Sequence, residues 1–421
     1  MIRELSEREA AETRRAMESG RNFCFLDSSL REGNQGRFSI VASDPVETVS
    51  GNLWRDGDLL EKALARYELG RAPDVPFPLG AAIGYFTYEG DFWFGFFPTL
   101  LVTDHQFGKT CLVGPAFRGD GPAGRRAEAG GETLGALQSN FTRTEFMEAV
   151  SRAKEHIAAG DIYQVNLSQR LSAAWSGAPE ALYRRLREVS PAPYSAYLDD
   201  GQRRVLSSSM ELFLRISGRH ARTRPIKGTR PRFDDPLRDE QSAYELIRSE
   251  KDMAELVMIT DLERNDLGRV CEYGSVRVTD LVRLEKYAQV FHLVSTVEGL
   301  LRPEVPHLRA VREMFPGGSI TGAPKKRAME IIRDLEKGPR GVYTGAVGYF
   351  GFNGETCLNI AIRTMIVEGG VVSFGVGAGI TAGSDPAAEY DETLDKARGM
   401  EAALTATAPH PLSAPSAPGR R

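Results

Sequence analysis

The chain has 421 residues, 41% of them hydrophobic, enough for two or three domains or for one large domain with an appendage. Its net charge is −4, from 53 basic and 57 acidic residues, which argues against the basic excess of a dedicated nucleic-acid binder. Four widely separated cysteines without a CxxC pair, and six histidines without ligand spacing, argue against a zinc site or a disulfide framework. No apolar run reaches the ~18 residues of a membrane span, and the charged N-terminus has no apolar signal core, so a soluble, cytoplasmic protein is expected.

Strand-like runs come first, RFSIVAS (37–43) and the aromatic AAIGYFTYEGDFWFGFF (81–97). Residues 115–135 are rich in Gly, Pro and charge and read as a linker or long surface loop. A helix is predicted over 143–159. Thr142 and Glu145 have capping-box spacing, Phe146, Val150, Ala153 and Ile157 form one stripe, and Gly160 ends it. Glu211 falls in an apolar, strand-like run, SSSMELFLRI, where a carboxyl is either paired or raised in pKa. The basic stretch ARTRPIKGTRPR (221–232) reads as a solvated basic loop, or as the setting for one reactive lysine, Lys227. Cationic neighbours such as Arg224 and Arg230, or burial, would lower the pKa of that amine.

A second helix is predicted over 239–259, with Leu246, Met253 and Leu256 or Val257 on its buried side. A third follows FPGGSITGAP and runs over 324–336, with Pro324 in its first turn. A fourth starts at Ser384-Asp385, with Pro386 at its first position, and ends near 404. Between them lie the β-rich runs VRVTDLV, VYTGAVGYF, CLNIAIRTMIV and VVSFGVGAGI. Strands and helices mix without strict βαβ alternation, which favours an α+β fold with mainly antiparallel sheet. The tail from 405 is Ala/Pro/Ser-rich and is expected to be disordered.

Two helices carry paired carboxylates. Asp252 and Glu255 stand at i and i+3, and Glu389, Glu392 and Lys396 at i, i+3 and i+7, each set on one face. Each set alone reads as a solvated face. Together they offer the few hard oxygen ligands that Mg²⁺ requires. The glycine-rich stretches 315–325 and 374–383 fit neither a P-loop nor a dinucleotide fingerprint, but suit close approach of backbone N–H groups to a small carboxylate. His292 sits among apolar residues and reads as a core histidine.

Together, GDIYQVNLSQR (160–170), PIKGTRPR (225–232), AELVMITDLERNDLGRV (254–270), VFHLVSTVEG (290–299), FPGGSITGAPKKRAMEII (315–332), YTGAVGYF (343–350), NIAIRT (359–364) and GAGITAGSDPAAEYDETLDKA (377–397) resemble the chorismate-utilising enzymes, in that family's order. The family comprises anthranilate synthase, aminodeoxychorismate synthase, isochorismate synthase and salicylate synthase. The resemblance implies an anthranilate synthase component I-like fold, with large antiparallel sheets forming a sandwich flanked by helices. It implies an N-terminal subdomain over 1–125, a chorismate-binding catalytic domain over 136–404, and the tail over 405–421. The branch with Lys rather than Ala at position 227 aminates chorismate at C4 with ammonia from a separate glutamine amidotransferase subunit. The alternatives are C2 amination to anthranilate, or a water-using isochorismate or salicylate synthase. By resemblance, Lys227 is the nucleophile at C2 and Glu211 the general acid. Glu255 and Glu392 hold Mg²⁺, with Asp252 and Glu389 beside them. Lys396 and the Gly377, Ala378 and Gly379 backbone meet the ring carboxylate, Tyr349 and Arg363 bind the enolpyruvyl carboxylate, and His292 and Ser319 line the ring pocket. The chain departs from the family's pattern at Met210, where Pro is usual.

Overall fold

The computed structural model describes residues 1–30, 35–72, 75–115, 132–287 and 290–406. The expected linker therefore lies largely outside the described residues, as does the tail from 407 on. The fold is α+β, with a thirteen-stranded and a ten-stranded sheet. Pairing is antiparallel in the strands that build the site.

The sheets face each other through Ile40, Val102, Val205, Ile83, Tyr85 and Val347. The outer face of the ten-stranded sheet packs Phe86, Phe94 and Phe350 against helix residues Phe146, Val311 and Ile331. The outer face of the thirteen-stranded sheet packs Leu206, Met365 and Phe374 against Leu182, Met17 and Ala397. Alternation along each strand sends successive side chains to opposite layers. Each fully buried aromatic or aliphatic side chain contributes about 1.5–3 kcal/mol.

The first hundred or so residues are not set apart from the rest. Phe38–Ala42 and Cys24–Asp27 continue the larger sheet beside Tyr194–Asp199, and Ala81–Phe86 pairs with Ala346–Gly351 in the smaller one. The run containing Glu211 is two strands rather than one. Arg203–Ser209 belongs to the larger sheet and Leu212–Ser217 to the smaller, so Met210 and Glu211 form the crossing between layers.

The Arg143–Ala158 helix has the expected capping box, and Phe146, Val150 and Ala153 are buried. The Pro386–Thr405 helix is capped by Asp385, which accepts from Ala388 N–H at 2.9 Å. The helix expected over 239–259 is instead two, Pro236–Arg248 and Glu250–Gly268. Ser249 is extended, and its hydroxyl caps the second helix by accepting from Asp252 N–H. The break changes the buried set. Leu246 and Leu256 are buried, but Met253 and Val257 are exposed, and Glu263 and Asp266 turn inward instead.

Candidate active site

A cavity of about 510 Å³ opens where the two sheets meet these helices. Its wall includes Met210 and Glu211 from the crossing, the Ile226–Pro231 strand, Asp252 and Glu255, the Ser319 turn, Arg363, the glycines of Val371–Ile380, and Glu392 with Lys396.

Lys227 lies in the wall on the Ile226–Pro231 strand. Gly228, at φ 74°, makes a bulge there, because Lys227 and Thr229 oppose the successive residues Leu293 and His292. Lys227 Nζ donates to Ser319 O at 3.1 Å. Burial lowers its pKa. The Glu255 carboxylate opposes that shift, and the Lys396 ammonium adds to it. The neighbouring cation is thus Lys396, not Arg224 or Arg230. The flanking arginines have carboxylate partners of their own: Arg222 with Glu298 at 2.5 Å, Arg224 with Glu285 at 2.5 Å, Arg230 with Asp252 at 3.3 Å and Arg232 with Asp239 at 2.8 Å. The basic stretch is neither a solvated loop nor a free cationic patch. It is two strands, His220–Arg224 and Ile226–Pro231, laced by ion pairs.

Glu211 is 4% exposed, and burial raises its pKa to about 7, against the opposing pull of the Ser319 hydroxyl, Lys227 and the Ile226 N–H. A carboxyl in that range holds its proton near neutrality and can release it, as a general acid requires.

Glu255 and Glu392 face the cavity from different helices. Burial raises the pKa of Glu255. For Glu392, burial would raise it, but Lys396 at 2.7 Å together with Lys251 and Lys227 lowers it on balance. Asp252 is also on the wall. Glu389 stands behind it, accepting from Ser384 Oγ at 2.6 Å and from Lys251 Nζ at 3.2 Å. Glu255 Oε1 and Glu389 Oε2 are buried without a hydrogen-bond partner among the described residues. Among those residues no three acidic, His or Cys side chains converge as a ready-made metal cage. The two unpartnered carboxylate oxygens are hard oxygen donors of the kind that Mg²⁺ takes.

Arg363 lines the cavity, its pKa lowered by burial, and its guanidinium donates to Lys396 O. Lys396 Nζ donates to Gly377 O at 2.8 Å. Gly377 and Gly379 face the cavity. Ala378, between them on the same strand, points away into the core. Tyr349 also faces the other way, into a second cavity with Ser28, Arg215 and Asn359. The tyrosine beside Arg363 is Tyr343, three residues before the Ala346–Gly351 strand. Gly375 makes room for it, since a Cβ there would lie 2.2 Å from the ring. His292 is behind the wall rather than on it. Its Nδ1 meets Thr229 Oγ1 at 2.9 Å, and burial lowers its pKa to about 4, so the ring is neutral. Sequence reasoning also passed over Asn166 and Lys251, both on the wall.

A family model described as chorismate binding enzyme matches residues 32–402. The chain is 38% identical to aminodeoxychorismate synthase component 1 of Bacillus subtilis, over 89% of this chain and 91% of that protein. It is 40% identical to anthranilate synthase component 1 of Thermus thermophilus, with the same coverage. The crystal structure of anthranilate synthase component I from Streptococcus pneumoniae superposes with a TM-score of 0.76 at 30% identity, covering 88% of this chain and 93% of that one.

Proposed function

The chain belongs to the chorismate-binding enzyme family, and on that premise we propose that it is a component I of the aminodeoxychorismate synthase type. It aminates chorismate at C4, with ammonia from a separate glutamine amidotransferase subunit, on the route to p-aminobenzoate and folate. Relatives named for C2 and for C4 amination match it equally well. The reading is therefore carried by one observation, the Lys227 amine in the wall of the cavity beside Glu211. The branch that makes anthranilate usually has alanine in that place.

Arg363 and Lys396 supply positive charge for the two substrate carboxylates, and the Gly377 and Gly379 backbone allows close approach. Lys227, favoured in its neutral form by burial, bonds to C2 of the ring. Glu211 gives its proton to the C4 hydroxyl, which leaves as water. Ammonia then bonds to C4, and the C2–N bond breaks, returning its electron pair to Lys227. The surplus proton on the new amine goes back to Glu211, restoring the starting state. Glu255 and Glu392, with Asp252 and Glu389 close by, would hold Mg²⁺, which would supply charge neutralisation for the ring carboxylate among these acids.

The test is the purified chain with chorismate, ammonium and Mg²⁺. A product that aminodeoxychorismate lyase converts to p-aminobenzoate is expected. Anthranilate fluorescence, isochorismate or salicylate in its place contradicts the reading.

A further inference from the structure

Glu263 is a buried titratable residue with no part in the chemistry above. It is 2% exposed, on the inward face of the Glu250–Gly268 helix. Its Oε1 accepts from the Gly318 N–H at 2.8 Å, while Oε2 is buried without a hydrogen-bond partner among the described residues. Gly318 opens the 3₁₀ turn Gly318–Ile320. The next residue, Ser319, accepts from Lys227 Nζ through its carbonyl; its hydroxyl, near Glu211, is buried without a hydrogen-bond partner among the described residues. The turn packs against both Leu262 and the Glu263 carboxyl, since a Cβ on Gly318 would stand 2.8 Å from Leu262 Cδ2 and 2.9 Å from Glu263 Oε1. We propose that Glu263 is a positioning residue, which holds the Gly318 N–H and so fixes the turn that receives Lys227 and borders Glu211 in the cavity wall.

A carboxyl here is costly. Burial pushes its pKa up to about 7, with Lys325 opposing and Asp266 and Glu211 adding to the rise. The rest of that helix face includes Leu256, Ile259 and Leu267, and buried apolar residues often replace buried charge without loss of stability. What a leucine could not supply is the acceptor for Gly318.

The inference rests on Lys227 and Glu211 being the reacting pair, so Lys227→Ala is assayed alongside. Steady-state kcat and chorismate KM are measured for Glu263→Gln, Glu263→Leu and Gly318→Ala, each checked for folding by near-UV circular dichroism. Glu263→Leu should lower kcat at least about tenfold, with KM within about threefold. Glu263→Gln keeps an acceptor oxygen and should recover kcat to within about threefold of wild type. Gly318→Ala should lower kcat as Glu263→Leu does. Should Glu263→Leu not fold, Gly318→Ala decides. Wild-type kcat in a folded Glu263→Leu or Gly318→Ala variant overturns the inference, as does a Glu263→Gln variant no better than Glu263→Leu. A fully active Lys227→Ala overturns the reacting pair itself. An inactive Lys227→Ala beside a fully active Glu263→Leu overturns only the role of Glu263.

Discussion

Replacing Glu211 with Gln removes a titrating proton while keeping the shape of the crossing between the two sheets. Burial holds the Glu211 carboxyl at a pKa of about 7, against 4.5 for a free glutamate. Below pH 4.5 the folded and unfolded chains are both protonated at this site, and the group costs nothing. Between 4.5 and about 7 the unfolded chain releases the proton and the folded chain does not. Each pH unit in that window therefore takes about 1.4 kcal/mol from the stability of the wild type. The span of roughly 2.5 units gives a loss of about 3 kcal/mol by neutral pH, levelling off above it. Glutamine carries no such term. Urea unfolding at pH 4.5, 6 and 8 should show Glu211→Gln gaining on the wild type as pH rises. Turnover should fall sharply in the same variant, because the proton for the C4 hydroxyl is gone. A difference in stability that does not change with pH would refute the buried, neutral carboxyl.

Gly375→Ala places a Cβ 2.2 Å from the Tyr343 ring, so it should cost about 1–3 kcal/mol and raise the KM for chorismate. An unchanged melting temperature would contradict this packing. Lys325→Met leaves Asp266, whose side chain is 4% exposed, without its ion-pair partner. Breaking such a pair costs about 3–5 kcal/mol, measurable by urea unfolding at pH 7, and a loss below 1 kcal/mol would contradict the pairing. Chelation by EDTA should abolish turnover and added Mg²⁺ should restore it, whereas full activity in EDTA would remove the ion from the account.

Local signals carried far in the sequence. The capping box at Thr142 and Glu145, the Asp385–Pro386 start and the two carboxylate-bearing helix faces were legible because each depends on residues a few positions apart. The break at Ser249 was written in the sequence as well, since Ser249 and Asp252 have the same capping spacing. Apolar periodicity running across the break hid it. The long-range parts were not legible. Nothing local to SSSMELFLRI shows that Glu211 sits where the chain leaves one sheet for the other. The His220–Arg224 and Ile226–Pro231 strands looked like a loop because their carboxylate partners are as far away as Glu298 and Asp252. The tyrosine was misplaced by strand phase, Tyr349 pointing to the opposite layer from the site. Glu263 and Asp266 drew no reading, because they lie beyond residue 259, where the helix was expected to end, and on a face that is not wholly apolar.

The central claim is that Lys227 forms a bond to the substrate. The direct measurement is peptide mapping by mass spectrometry after the chain is incubated with chorismate and Mg²⁺ without ammonia. An adduct of chorismate less one water is expected on the peptide bearing Lys227, discharged by ammonium and absent from Lys227→Ala. No adduct, together with C4 amination at the wild-type rate by Lys227→Ala, would contradict it.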